Sequence, residues 1–220
     1  NNLSKTYPDG TVGIDRVSIT APPGVFGLLG PNGAGKSTFM RILATLLEPD
    51  GGTAYLDDLA LIRDKQAARG AIGYLPQDFG LYPQLSAREM LDHLAVLKGV
   101  GPRRHRRRLV HQTLELTNLD NDGKRPLGTF SGGMRQRFGI AQAVIGSPRL
   151  LIVDEPTAGL DPTERNRFHN LLVRLSEKMV VILSTHIVED IEDLCPNMAI
   201  MHGGRVRVSD TPRALKAQLA

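Results

Sequence analysis

A glycine-rich loop between an apolar segment and a predicted helix constrains this chain more than any other feature. Residues 30–38 read GPNGAGKST and match the pattern G-x-x-x-x-G-K-[S/T]. The preceding GVFGLL is typical of a buried parallel strand, and the following FMRILATLL predicts a helix. Glycines let backbone N–H groups converge on phosphate oxygens, and a helix N-terminus adds partial positive charge. The loop is therefore expected to bind the phosphates of a nucleoside triphosphate.

Several residues of this loop have distinct tasks in that interpretation. Lys36 is expected to bridge the β- and γ-phosphates, and the Ser37 hydroxyl is expected to ligate Mg²⁺. The remaining contacts with the nucleotide are expected at Gly30, Asn32, Gly33, Ala34, Gly35 and Thr38. The alternative, a plain glycine turn before a helix, leaves the Lys-Ser pair and both flanking segments unexplained.

A second apolar segment ends in two adjacent carboxylates. Residues 150–156 read LLIVDEP, which predicts a strand. Asp154 at its end can hold Mg²⁺ directly or through water, and Glu155 can polarise a water for in-line attack on the γ-phosphate. The alternative is a strand capped by two solvated acids. The sequence contains no Asn-Lys-x-Asp element for reading guanine, which favours ATP over GTP.

A third segment indicates a family. Residues 130–137 read FSGGMRQR and resemble the signature segment of the ATP-binding cassette (ABC) ATPases. The resemblance covers nearly the whole chain and includes residues 158–161 (AGLD), which match the D-loop of the family. Met134 stands where the commonest signature has glutamine. This methionine and residues 184–192 (STHIVEDIE) resemble the branch that exports drugs, antibiotics and polysaccharides.

The resemblance implies roles for residues outside the phosphate loop. Tyr7 lies where the family places an aromatic that stacks on adenine, Gln77 matches the glutamine that reaches the metal and the attacking water, and His186 matches the histidine that senses the γ-phosphate. The expected catalytic residues are Glu155, His186 and Gln77. The expected metal ligands are Ser37, Gln77 and Asp154.

The resemblance also implies partners. Ser131, Gly132 and Gly133 are expected to cap the ATP of a second copy in a head-to-tail homodimer, and Ser131 reads as a helix N-cap with free N–H donors behind it. A transmembrane permease is the second expected partner, which implies a location at the cytoplasmic face of the cell membrane. Nucleic acid is not expected as a partner.

Alternating strand and helix patterns predict an α/β fold. It is expected to have a P-loop NTPase (RecA-like) parallel-sheet core, an N-terminal antiparallel β subdomain and an inserted α-helical subdomain. The expected divisions are a single ABC ATPase domain at 1–220, its core and β part at 1–79 and 149–220, and the helical subdomain with the signature at 80–148. Residues 161–164 (DPTE) are expected to form a capping box at a helix start.

Composition bounds the class of protein. With 220 residues, of which 41% are hydrophobic, the chain is long enough for one sizeable core. No stretch approaches about 18 consecutive apolar residues and no secretion leader opens the chain, so neither a membrane span nor secretion of the chain itself is expected. The single cysteine, Cys195, fits a reducing compartment. By resemblance, the first strand is expected to begin a few residues before Asn1.

Arginines are clustered although the net charge is only +4. They stand at Arg103, Arg104, Arg106, Arg107 and Arg108. The cluster fits the solvated start of a helix, or contact with anionic headgroups or an acidic partner. No aromatic residue interleaves with it, which disfavours single-stranded nucleic acid as a ligand.

These features favour the nucleotide-binding component of an ABC transporter, an exporter, that hydrolyses ATP to ADP and phosphate. The alternative from another class is a soluble ABC ATPase acting on ribosomes or nucleic acid, which usually carries two cassettes or a large insert. A regulatory cassette that binds ATP without turnover is a third candidate, against which intact Glu155 and His186 argue. The transported substrate is chosen by the membrane partner and is not encoded in this chain.

Overall fold

The computed structural model describes residues 1–217 and is built around a six-stranded sheet. Five of the strands run parallel, and one edge strand is antiparallel to its neighbour. In spatial order the strands are Arg205–Asp210 (β10), Asn197–His202 (β9), Val25–Leu29 (β3), Val180–Thr185 (β8), Leu150–Asp154 (β7) and Ile72–Leu75 (β6). The nearly uninterrupted burial of β3, β7 and β8 explains their continuous apolar sequences.

Two short antiparallel pairs accompany the central sheet. The first joins Leu3–Thr6 (β1) to Val12–Val17 (β2) through a turn in which Tyr7 N donates to Thr11 O (2.8 Å). The second is smaller, and its strands are Tyr55–Leu56 (β4) and Leu59–Ala60 (β5). The N-terminal antiparallel part expected from the sequence is therefore present.

Helices cover both faces of the central sheet and form an insert between β6 and β7. They are Lys36–Leu43 (α1), Lys65–Ala71 (α2), Ala87–Leu97 (α3), Arg103–Leu116 (α4), Gly132–Val144 (α5), Pro162–Ser176 (α6), Val188–Leu194 (α7) and Pro212–Ala217 (α8), with a 3₁₀ turn at Leu127–Thr129. None of the helices in residues 1–217 has the length and apolarity that a membrane span needs.

The helical insert has a hydrophobic core of its own. Leu91 of α3, Leu114 of α4 and Phe138 of α5 are all 0% exposed and belong to one cluster. Phe130 meets Phe138 edge to face, with ring centroids 6.0 Å apart. Each fully buried side chain of this size contributes about 1.5–3 kcal/mol. The insert therefore does not depend on the sheet alone for its packing. The expected α/β class with an inserted helical part is confirmed, and the division points near residues 80 and 148 stay a prediction.

The capping box expected at residues 161–164 is only half formed. Asp161 is the N-cap of α6, and its carboxylate accepts from Glu164 N (2.9 Å). The Glu164 side chain does not return to the Asp161 backbone, because its carboxylate instead binds the guanidinium groups of Arg137 and Arg167. The carboxylate thus makes charge-assisted bonds to two arginines in place of a single bond to a backbone N–H.

The topology gathers the candidate residues at one edge of the sheet. The phosphate loop follows β3, Gln77 follows β6, Asp154 ends β7 and His186 follows β8. These strands run parallel, so their carboxyl ends lie side by side. In α/β sheets this edge is where ligands bind.

Candidate active site

The phosphate loop curls around one buried lysine. Lys36 is the first residue of α1, and its side chain is only 5% exposed. Its Nζ donates to the carbonyl oxygens of Gly30 (2.6 Å) and Pro31 (3.2 Å). Gly35 has a φ of 100°, and a Cβ there would lie 2.5 Å from Gly13 O, so only glycine fits. The loop thus fixes a positive charge at a helix N-terminus, where phosphates bind well.

Glu155 is held between this lysine and a histidine. Lys36 Nζ lies 3.3 Å from Glu155 Oε1, and His186 Nδ1 lies 2.5 Å from Oε2. Glu155 has a φ of 49°, a conformation that costs about 1–3 kcal/mol outside glycine. Its backbone N–H donates to Ser184 O (3.0 Å), which helps to hold that conformation. The carboxylate is therefore fixed at the sheet edge beside the phosphate loop.

Asp154 is oriented from the neighbouring strand. It is 4% exposed and lies directly opposite Ser184 in the β7–β8 register. Ser184 Oγ donates to Asp154 Oδ1 at 2.5 Å. Within residues 1–217, Oδ2 accepts no hydrogen bond, so this oxygen is available to a ligand.

The donors at this edge suit Mg²⁺ bound together with a substrate. In the part of the chain that the structure describes, no group of three or more His, Cys, Asp or Glu side chains could hold a metal alone. Mg²⁺ typically takes one or two carboxylates and completes its shell with water and substrate phosphates. Asp154 with the exposed Ser37 hydroxyl and Gln77 amide offers hard oxygen ligands of that kind.

Tyr7 is fixed beside the phosphate loop. Its hydroxyl lies 3.0 Å from Thr38 Oγ1 on α1. A Cβ at Gly13 would lie 2.8 Å from Tyr7 Cε2, so the ring packs directly on the Gly13 backbone. The ring is half-buried, which leaves part of it open to a ligand. The structure thus provides a fixed aromatic surface, and stacking on adenine stays a prediction.

The signature residues do not join the phosphate loop of their own chain. Ser131 is the N-cap of α5, and its Oγ accepts from Met134 N (3.3 Å), as expected. Ser131 and Gly132 are exposed, and no hydrogen bond or ion pair in residues 1–217 links either of them or Gly133 to residues 30–38. Gln77 is likewise exposed and free of hydrogen bonds to the described residues.

An ion pair joins α5, the helix that begins in the signature segment, to α6. Arg137 of α5 is 8% exposed and binds the Glu164 carboxylate of α6, which also accepts from Arg167 Nη1 (2.7 Å). A Cβ at Gly133 would lie 2.5 Å from Glu164 Cδ. A side chain at Gly133 would therefore displace the end of the Glu164 side chain, which binds Arg137.

Three residues of the site were missed in the sequence. Ser184 lies in the same short segment as His186, but its contact with Asp154 depends on the register of β7 and β8. Gly13 carries no motif, and its role under the Tyr7 ring follows only from packing. The sequence does contain a signal for Glu164. A charged residue one turn into a helix can bind the backbone at the helix N-cap or a distant arginine, and the sequence pattern does not distinguish the two.

The fold and this site define a P-loop nucleoside triphosphatase. The family model described as ABC transporter matches residues 14–158, which is more than half of the chain. The chain therefore belongs to the ABC transporter family, as an ABC-type ATPase domain.

Similarity to individual proteins supports this assignment. The chain is similar to YbhF of Escherichia coli (strain K12), described as a probable multidrug ABC transporter ATP-binding protein, with 36% identity over 227 residues that cover 100% of this chain and 38% of YbhF. The chain also spans less than two thirds of other curated relatives such as ABC transporter A family member 4 of Arabidopsis thaliana (24%).

Solved structures match over almost their whole length. The dimeric post-hydrolysis cassette MJ0796 bound to ADP and Pi gives a TM-score of 0.85 at 25% identity, covering 96% of this chain and 97% of that one. Clostridium perfringens cbiO1, described as part of the ABC transporter complex cbiONQ, gives a TM-score of 0.88 at 27% identity, covering 100% and 90%.

Proposed function

We propose that this chain hydrolyses ATP to ADP and phosphate as the nucleotide-binding component of an ABC transporter, and that the transporter is an exporter. The observation that carries the proposal is the position of Glu155, fixed between the loop lysine and His186 at the end of β7. A carboxylate in this position, beside a phosphate loop, can act as the base for the attacking water.

The residues of the loop bind and orient the nucleotide. Lys36 and the backbone N–H groups of residues 30–38 hold the phosphates, and Tyr7 stacks on adenine. Ser37, Asp154 and Gln77 hold Mg²⁺, which neutralises charge on the triphosphate when it is bound. Ser184 keeps one Asp154 oxygen occupied and leaves the other for the metal.

Glu155 and His186 serve the chemical step. Glu155 accepts a proton from the attacking water, and His186 holds the γ-phosphate. Triphosphate oxygens would compete with Glu155 for the Lys36 ammonium, because the Nζ that binds them in this proposal lies 3.3 Å from Glu155 Oε1. Binding of ATP therefore draws the lysine towards the phosphates and leaves the carboxylate free to act as a base.

A second copy completes the site in the proposed mechanism. Ser131 and Gly132 are exposed at the N-terminus of α5, where free N–H groups favour an anion. They have no hydrogen bond to their own phosphate loop among the described residues. These facts support contact with the γ-phosphate on a partner copy, in a head-to-tail homodimer. The dimeric form of the similar MJ0796 cassette supports the same arrangement.

A permease partner supplies the membrane-spanning part. A groove of about 450 Å³ lies between β6, the edge strand of the central sheet, and helices α3 and α5. Leu46, which is 63% exposed, lines it together with Phe79 and Leu94. An apolar groove of this kind fits a short segment of a membrane partner, which would place the chain at the cytoplasmic face of the membrane. Met134 and the similarity to YbhF support export as the direction.

A phosphate-release assay with matched lysine variants tests the proposal. The purified chain is incubated with ATP and Mg²⁺, and Lys36→Ala is compared with Lys124→Ala, which alters an exposed lysine. We expect the wild type and Lys124→Ala to release phosphate and Lys36→Ala to lose both ATP binding and turnover. Near-wild-type ATP affinity in Lys36→Ala contradicts the site. Copurification with nucleic acid, rather than with a coexpressed permease, favours the soluble alternative.

A further inference from the structure

A buried carboxylate outside the nucleotide site collects hydrogen bonds from four side chains. Asp190 of α7 is 0% exposed. Its Oδ2 accepts from Thr157 Oγ1 (2.5 Å) and Thr185 Oγ1 (3.3 Å), and its Oδ1 accepts from Arg165 Nε (2.7 Å) and lies 2.8 Å from His169 Nε2.

These bonds keep the carboxylate charged despite its burial. Burial by itself raises the pKa of Asp190, but the bonds from His169, Thr157 and Arg165 outweigh it and hold the pKa below its usual value. A buried charge costs several kcal/mol unless it is well paired, and well-packed apolar residues are often as stable. General stability alone therefore does not explain why a charged cluster occupies this position.

The partners come from three segments that border the active site. Thr157 follows Glu155 by two residues and directly precedes residues 158–161. Thr185 directly precedes His186, and its Oγ1 also accepts from Ile187 N (3.0 Å), which fixes the turn after β8. Arg165 and His169 lie on α6, the helix that residues 158–161 lead into. The segment after Glu155 and the segment around His186 are thus hydrogen-bonded to the same carboxylate.

We propose that Asp190 is a positioning residue, which holds the segment after Glu155 and the turn carrying His186 in a fixed mutual relation. Asp190 touches neither reacting residue, and it acts through Thr157 and Thr185. The left-handed backbone of Glu155 needs such support, because a conformation of this kind persists only where its surroundings determine it. The expected effect of Asp190 on the rate rests on the proposed ATP hydrolysis. Its expected effect on the order of the two segments rests on the fold alone.

Two pairs of variants test the assignment. Asp190→Asn removes the charge that pairs with Arg165, and its amide NH2 makes a donor of an oxygen position that now only accepts. Asp193→Asn makes the same change at an exposed position of α7. Thr157→Val removes only the hydroxyl bond, and Thr157→Ser keeps it. Four quantities are measured for each: kcat, KM for ATP, the thermal midpoint, and hydrogen–deuterium exchange of residues 155–161 and 185–187.

Asp190→Asn and Thr157→Val are expected to lower kcat about 10- to 100-fold, as a small misplacement of reacting groups does, with KM nearly unchanged. Exchange should rise in both segments for Asp190→Asn and in residues 155–161 for Thr157→Val, and Thr157→Ser and Asp193→Asn should match the wild type. A lowered thermal midpoint with wild-type kcat, or faster exchange in only one segment of Asp190→Asn, overturns the proposal. If the wild type itself fails to hydrolyse ATP, the proposed function is wrong, and the exchange measurement still decides the role of Asp190.

Discussion

Lys36 Nζ lies 3.3 Å from Glu155 Oε1, and both side chains are buried, at 5% and 8% exposure. The lysine expected to hold the phosphates and the carboxylate expected to activate water are therefore paired directly. Opposite charges that share a buried site stabilise one another, and removing one partner leaves the other uncompensated. The proposed binding of phosphate and the proposed activation of the base are thus linked through one contact.

Loss of the Ser184 hydroxyl is expected to weaken metal binding. Ser184 orients Asp154, and removing a residue that orients a metal ligand typically costs about 10- to 100-fold in metal affinity. Ser184→Ala should therefore need more Mg²⁺ for half-maximal phosphate release. Ser176→Ala, which alters a half-buried serine at the end of α6, is the control. An unchanged Mg²⁺ requirement in Ser184→Ala contradicts the role of Asp154 as a ligand.

Two replacements of Tyr7 distinguish the contribution of the ring to ATP binding from the contribution of the hydroxyl. Tyr7→Ala should weaken ATP binding by about 1–3 kcal/mol, the usual value for stacking between a base and an aromatic ring. Tyr7→Phe keeps the ring and loses only the bond to Thr38, so its effect should be smaller. Calorimetry with ATP and with inorganic tripolyphosphate checks this, because tripolyphosphate has no base. Equal losses for both ligands would show that Tyr7 does not contact adenine.

The two signature glycines should differ in their effect on stability. A Cβ at Gly133 meets the Glu164 carboxylate, whereas a Cβ at Gly132 meets nothing within 4 Å. Gly133→Ala is therefore expected to destabilise the chain by about 1–3 kcal/mol, as overpacking does. Gly132→Ala should instead stabilise the chain by about 0.4–1 kcal/mol, because alanine at an open helical position lowers the entropy of the unfolded chain. Urea unfolding without nucleotide measures both, and equal midpoints contradict the contact between Gly133 and Glu164.

The arginine cluster lies at an unfavourable end of α4. Arg103 and Arg104 occupy the first turn, which has no acidic residue and no side-chain N-cap. Positive charge at a helix N-terminus opposes the helix dipole, and an acidic residue there typically gains about 0.3–1 kcal/mol. Arg104→Glu should therefore raise the free energy of unfolding at low salt, and the gain should shrink as salt is added. A loss of stability would show that Arg104 has a favourable contact in the folded chain.

Local sequence patterns predicted much of the site, and long-range packing accounts for the rest. The glycine loop, the two acids at the end of β7 and the N-cap Ser131 could be predicted because each depends on neighbours in sequence. The partner of Glu164 could not be predicted, because the capping pattern does not reveal an arginine on another helix. The four bonds to Asp190 were likewise invisible, since they join residues from four separate elements or loops.

The central claim is that Glu155 is the base of an ATPase whose two copies share their sites. Glu155→Gln keeps the shape of the side chain but removes the base, while Asp154 and Ser37 remain to bind Mg²⁺. It also removes the charge that pairs with Lys36, so ATP should bind at least as tightly as in the wild type. Glu177→Gln alters an exposed glutamate of the same chain and is the matched control.

Light scattering combined with phosphate release, each with ATP–Mg²⁺ and with ADP–Mg²⁺, tests this claim most directly. Glu155→Gln should be nearly inactive and should be dimeric with ATP but monomeric with ADP, which lacks the phosphate that Ser131 and His186 are expected to contact. The wild type and Glu177→Gln should hydrolyse ATP and be less dimeric. Hydrolysis by Glu155→Gln at the wild-type rate, or an inactive variant that stays monomeric with ATP, would contradict it.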